Sequence, residues 1–167
     1  MSAADAGIAT HDAPVWREKT NYIIRVDLGA HGMPGSAEQL WTRTDDQRTF
    51  ELCCIPFFTY GLALGDRVEW DDGSRVATLV ERSGRRNVRF AWNDKSEAAE
   101  QHEALHGRLA ATGACLEFSS NGYGAVDCAD DVMMAGVITV LQPLNGAGLL
   151  IWEYGDQPAP PSGHKCR

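Results

Sequence analysis

Cys54-Ile55-Pro56-Phe57-Phe58-Thr59-Tyr60-Gly61-Leu62-Ala63-Leu64-Gly65-Asp66 is the densest apolar run in the N-terminal half of the chain. A strand-like segment, Thr49 to Ile55, leads into it. Pro56 closes that strand, because proline has no N–H to give to a ladder. Phe57, Phe58 and Tyr60 then bring large apolar area. Gly61 and Gly65 allow turns that other residues resist. Asp66-Arg67-Val68-Glu69-Trp70 restarts a strand. The run therefore reads as a buried segment crossing between two β-strands, with its aromatic side chains packed in a core rather than lining a pocket.

Working outward, Asn21 to Leu28 and Glu38 to Arg43 are further strands, separated by the Gly- and Pro-rich loop 29–36. Asp71-Asp72-Gly73 joins Arg67–Trp70 to Arg75–Glu81 as a hairpin, and Ser83-Gly84 turns the chain again. Short strands at this spacing predict a small β-barrel-like subdomain over residues 20–85. The texture changes after Asn87–Trp92. Ser96 is a candidate N-cap for a helix carrying Ala98, His102, Leu105 and Leu109 at helical spacing, with Gly113 beyond its end. Ala114–Phe118 and Tyr123–Cys128 form a hairpin about Asn121-Gly122. Asp130 or Asp131 caps a second helix that Pro143 and Asn145-Gly146 should end. Gly148–Tyr154 is the last strand. From residue 86 the order is strand, helix, strand, strand, helix, strand, which is the ferredoxin-like βαββαβ pattern. The expected class is α+β, with the β-rich subdomain packed on this unit over 86–156. Residues 1–19 are expected to be a flexible N-terminus, and 157–167, with three prolines, a disordered tail.

The 167 residues carry a net charge of −8 and are 44% hydrophobic. That is enough for a core without metal or disulfide staples. The acidic balance argues against a nucleic-acid binder and suits a basic partner. No apolar stretch is long enough to span a membrane, and Met1–Gly7 lacks the features of a signal peptide. The five cysteines, Cys53, Cys54, Cys115, Cys128 and Cys166, show no CxxC spacing. They read as reduced thiols of a cytoplasmic protein.

Leu40-Trp41, then Ile55-Pro56-Phe57-Phe58-Thr59-Tyr60-Gly61 with Gly65-Asp66-Arg67-Val68, then Ser83-Gly84, resemble the bacterial DUF4265 family. The likeness extends over about residues 20–156 and is most specific in the central run. It implies a bacterial domain and assigns no catalytic residue. Small acidic bacterial domains are often encoded beside secreted toxins as immunity proteins, which gives an analogy for the role.

His102-Glu103-Ala104-Leu105-His106 fits H-E-x-x-H on the first helix. Two histidines at i and i+4 share a face and could hold Zn²⁺, with Glu103 as general base. No downstream residue offers a persuasive third ligand, and the helix is charged and exposed, so a solvated helix is the stronger expectation. Asp71-Asp72 reads as a turn and Asp130-Asp131 as a cap. Arg82, Arg85, Arg86 and Arg89 are the one basic cluster, expected to be solvated. The favoured expectation is a non-catalytic protein-binding domain, with a toxin as the most concrete partner and Phe57, Phe58, Tyr60, Trp70, Asp71 and Asp72 as candidate contacts. The alternatives are a zinc hydrolase using His102, Glu103 and His106, and a small-molecule sensor with a pocket between the subdomains.

Overall fold

The computed structural model describes residues 7–93, 99–119 and 122–161. Ser96, Asn121, Cys166 and the last part of the tail lie outside them. The first sheet holds β1 (Ile8–Ala9), β2 (Tyr22–Asp27), β3 (Ala37–Arg43), β4 (Thr49–Leu52), β5 (Arg67–Asp71) and β6 (Val76–Glu81). Its order is β1-β3-β4-β5-β6, with β2 also on β3. Strand β2 pairs along Ala37–Thr42, while β1 and β4 take the two ends of β3 on its other side. β1 runs parallel to β3 and makes the sheet mixed.

The barrel-like closure expected for residues 20–85 is not formed. β2 and β6 share no ladder. A single bond from the Asp27 N–H to the Arg75 carbonyl, 3.0 Å, joins their ends. The physical reason lies in the central run. Pairing of β4 stops at Leu52 and residues 53–66 leave the sheet, so no further strand bridges β2 to β6. The curl still encloses a core of Ile24, Val26, Leu40, Phe50, Leu52 and Val68.

The second sheet contains β7 (Arg86–Trp92), β8 (Cys115–Phe118), β9 (Tyr123–Cys128) and β10 (Leu150–Tyr154), with α1 (Ala99–Ala110) and α2 (Asp131–Gly146). Its order is β10-β7-β9-β8, and every pair is antiparallel. Leu105 and Leu109 of α1 and Val137 and Leu141 of α2 join Val88, Phe90, Val126, Cys128 and Leu150 in one core, so both helices cover one face. Asp130 caps α2 by accepting from the Met133 N–H at 2.8 Å. The helix continues through Pro143 to Gly146 rather than ending there. The ring costs one i→i−4 bond, and the carbonyl it strands belongs to the exposed Thr139, where water can serve it.

Strand periodicity decides what happens on the other face. Alternate residues of β7, β8, β9 and β10 point away from the helices. Their polar members are Asn87, Arg89, Glu117, Asp127 and Glu153, side chains that an isolated antiparallel sheet would turn to water. Here segment 53–66 covers them. Asn87 and Asp127 are fully buried, and Arg89 and Glu117 nearly so. The two halves thus meet along a polar seam, with Ile55, Phe57 and Ala125 as its small apolar centre.

Candidate functional site

Segment 53–66 is irregular backbone in a buried place, so its N–H and C=O groups need side-chain partners. Glu38, on β3 and fully buried, takes the N–H groups of Phe57 (2.6 Å), Phe58 (3.2 Å) and Thr59 (2.8 Å), and the Thr59 hydroxyl (2.7 Å). Glu117, from β8 on the opposite side, accepts from the N–H groups of Ile55 and Val15. Asn87 donates to the Pro56 and Leu62 carbonyls. Asp66 accepts from the Ala63 and Ser83 N–H groups at 2.9 and 2.8 Å. The run that marks the sequence is therefore docked by carboxylates and an amide from both sheets.

Two buried carboxylates need a counter-charge. It is His11. Its Nε2 lies 3.1 Å from Glu38 and its Nδ1 3.5 Å from Glu117, and its ring stacks on Phe57 at 4.4 Å. Burial pushes the imidazole pKa down, but the Cys54 sulfur and the Glu117 and Glu38 carboxylates outweigh it and raise the pKa. Burial disfavours charge on Glu38, but bonds from His11, Thr59 and Phe57 hold its pKa at about 2. Residues 7–19, expected to be flexible, thus carry β1 and the buried cation of the seam. Cys54, beside His11, has the residue types of a nucleophilic dyad. Its thiol is fully buried and burial pushes its pKa up, so it lacks the thiolate such chemistry needs.

The pair sets a pH signature. Glu38 has a folded pKa below its ordinary 4.5, so its contribution is present above 4.5 and lost as pH falls toward 2. His11 has a folded pKa above its ordinary 6.5, so its contribution is complete below 6.5 and declines as pH rises. Urea unfolding across pH should show the stability gap between wild type and His11→Gln widest between these values and narrowing on the alkaline side. A gap that is constant with pH would mean His11 is neutral in the fold.

The four arginines expected to be solvated are each held by a carboxylate. Arg82 meets Asp66, Arg85 meets the buried Asp127, Arg86 meets Asp156 and Asp131, and Arg89 meets Glu153 at 2.7 Å. They stitch the seam and do not form a patch for phosphates.

The candidate contact residues are not brought together. Phe57 is buried on His11, and Phe58 meets Tyr123 edge-on at 5.0 Å. The Tyr60 hydroxyl donates to Glu153 while Arg89 lies 4.2 Å over its ring. Its N–H donates to His31 at 3.0 Å. Trp70 packs with Phe50 and Tyr22 in the first sheet and donates to the Arg25 carbonyl. Asp71 accepts from the Gly73 and Ser74 N–H groups, as a turn residue should, and Asp72 is exposed beside it. On α1, His102 stacks on Trp92 at 4.5 Å, His106 stacks on Phe118 at 3.6 Å, and Glu103 is exposed. Among the described residues no group of three His, Cys, Asp or Glu is placed to hold a metal ion.

Chemistry in the seam is closed off by burial and mutual neutralisation. What the described surface offers instead is sheet edge. Eight large apolar residues are exposed, and seven lie on strands that end a sheet or pair on one side: Ile8 on β1, Tyr22 and Ile23 on β2, Val76 and Val80 on β6, and Ile151 and Tyr154 on β10. In β6, Ala77 and Leu79 turn into the core and Val76 and Val80 turn out, 52% and 53% exposed. A register shift between β5 and β6 places Val80 as the extra, bulged residue.

His11, Glu38, Glu117 and Glu153 carry this architecture; the sequence alone pointed to Glu117 only as an unpersuasive third metal ligand and to the other three not at all. The available signal was the position of Glu38 two residues before Leu40-Trp41, just ahead of the motif.

A family model described as a domain of unknown function, DUF4265, matches residues 38–152. A crystal structure of a hypothetical protein from Neisseria gonorrhoeae is similar with a TM-score of 0.61 at 16% identity, covering 83% of this chain and 97% of that one. At that identity the likeness is one of fold. No curated protein sequence matches the chain.

Proposed function

The chain belongs to the DUF4265 family, a domain of unknown function, and from that premise we propose that it is a non-catalytic protein-binding domain that takes a basic partner strand on the β5–β6 hairpin. The observation that carries this is the concentration of exposed apolar residues on unpaired strand edges. An edge strand offers free backbone N–H and C=O groups, and folded chains protect such edges or use them for strand addition. On the hairpin, Arg67 reaches Glu81 and Arg82 reaches Asp66, which leaves Glu69, Asp71 and Asp72 against Arg75. With a net charge of −8 over the chain, this favours a basic partner and a salt-sensitive approach. The strand order β10-β7-β9-β8 supports reading the C-terminal half as a ferredoxin-like unit that braces the hairpin-bearing half. Toxin neutralisation in the bacterial cytoplasm is the most concrete form of the proposal.

The test compares wild type with Val76→Lys/Val80→Lys, which places charge on the edge and leaves the core alone. Exposed substitutions of this kind change stability by about 0.5 kcal/mol or less. In a low-salt pull-down from the native bacterium, wild type should retain one stoichiometric basic protein and the double variant should lose it. Absence of such a protein, or equal retention by both, overturns the proposal. Co-expression with a toxin encoded next to this chain should restore growth; failure there removes the toxin form.

A further inference from the structure

Residues 29–36 join β2 to β3, whose ends pair at Asp27 and Ala37. The loop opens with a 3₁₀ turn over Gly29–His31, ended by Gly32 at a φ of 86°. Its hydrogen bonds are almost all its own. The Gly29 N–H goes to the Asp27 carboxylate, and the His31 and Met33 N–H groups go to the Leu28 carbonyl. The Gly32 N–H goes to Gly29, the Ser36 N–H to Met33, and the Leu28 N–H returns to Ser36. Among the described residues, one hydrogen bond made by 29–36 leaves the stretch 27–36: the His31 Nδ1 accepts the Tyr60 N–H at 3.0 Å. The two rings lie parallel within 7°, with centroids 6.2 Å apart. Gly29, Ala30, Gly32, Pro34 and Gly35 are exposed, so apolar burial adds little to that latch.

The latch fixes a proton. A backbone N–H needs an unprotonated ring nitrogen, so His31 is neutral with its proton on Nε2. Charged groups face it from three strands: Asp27 at the end of β2, Glu38 on β3 and Arg89 on β7. Tyr60 is itself held between strands, its hydroxyl on Glu153 of β10 and its ring 4.2 Å from Arg89. Burial lowers the His31 pKa; Glu38 and Asp27 pull it up, Arg89 pushes it down, and the lowering prevails. The neutral ring, and with it the bond, is therefore complete above the ordinary 6.5 and lost as pH falls through the lower folded value. The seam keeps its charges over that interval, because Glu38 gives up its own only toward pH 2 and the His11 pKa is raised. A proton on Nδ1 faces the Tyr60 N–H and leaves it without an acceptor. The Thr59 N–H stays on Glu38 and the Gly61 N–H on the Gly155 carbonyl, so segment 53–66 remains docked and the loop is the part free to move.

We propose that loop 29–36 is an acid-released strap: protonation of His31 breaks its one hydrogen bond to segment 53–66 and uncovers Tyr60 beside Arg89 and Glu153. The strap is separate from the β5–β6 hairpin, and its test needs no partner.

The test is NMR on the full chain between about pH 8 and about pH 4.5, a range in which an unperturbed histidine titrates. It follows the His31 Cε1–H signal and the exchange protection of the Tyr60 amide, corrected for the intrinsic pH dependence of exchange. His31 should titrate below 6.5, and Tyr60 protection should fall about tenfold in step with it, the scale of one hydrogen bond. The amides of Val88 and Val126, in the second sheet, should keep their protection. His31→Asn offers an acceptor oxygen that does not titrate, and should abolish the step. His31→Phe keeps a ring and removes the acceptor, and should give low Tyr60 protection at every pH. Wild-type protection without a step overturns the proposal, as does a step that survives in His31→Asn or a His31 signal that titrates above 6.5. Loss of protection at Val88 and Val126 in the same step would be global unfolding and overturns it too.

Discussion

Glu38→Ala should lose about 3–5 kcal/mol, the scale for removing one partner from a buried ion pair. That is a large part of the 5–15 kcal/mol a domain usually has, so the variant should be partly unfolded at room temperature. The size follows from what the carboxylate does. Three consecutive backbone N–H groups, a hydroxyl and an imidazolium all point at it. Alanine strands each of them in a fully buried place, and the penalty for an unmade buried bond exceeds the benefit of a made one. Glu38→Gln keeps the shape and one acceptor oxygen, and should fall between wild type and alanine. The check is urea unfolding at pH 6. If Glu38→Ala costs less than about 1 kcal/mol, the scale of an ordinary net hydrogen bond, the seam is solvated and the buried charges are not coupled.

Gly124→Ala should cost about 3 kcal/mol, at the upper end for overpacking a core. On β9, Gly124 stands opposite Phe90 of β7 and Phe118 of β8. The far end of the Phe90 ring lies over it. A Cβ at position 124 would sit 2.3 Å from the Phe90 Cζ and 2.4 Å from its Cε1. Phe90 is 3% exposed and cannot swing away. The residue is glycine for lack of room, since its φ is not among the positive ones. Phe90→Leu in the Gly124→Ala background should recover part of the loss, a coupling between neighbours that separate sites do not show. Thermal unfolding of the single and double variants gives the cycle. Strict additivity would mean that the ring is free to move.

The strands, hairpins and helices were legible because their signals are local. The Asp72-Gly73 turn, the Asp130 cap and helical spacing need only neighbouring residues. The run 54–66 was legible as a crossing segment because Pro56 and its glycines break a ladder. Closure of the first sheet was not, since strand spacing says nothing about whether the two outer strands meet. The seam was hidden for a different reason. Asn87, Arg89, Glu117 and Asp127 alternate with apolar residues, and that pattern normally marks a wet face. Only the cover supplied by residues 53–66, distant in sequence, turns it into an interior. His11 lay in a stretch whose small and polar composition resembles a loose terminus. The H-E-x-x-H match was visible, but the stacking of its histidines on Trp92 and Phe118 depends on strands β7 and β8.

The Val15 N–H and the Glu117 carboxylate are 102 residues apart in the chain. On the ribosome, the segment carrying Val15 is made about a hundred residues before its seat on Glu117 is finished. Glu38 emerges before its counter-charge has a place, and the seam can close only after β8 has followed. Contacts of this span slow folding, because the loop must be ordered before its bonds reward it. The first sheet therefore has a period in which its crossing segment is undocked and its apolar run is exposed to other chains. A chaperone that covers residues 54–66 until synthesis passes β8 would raise the yield of folded protein most.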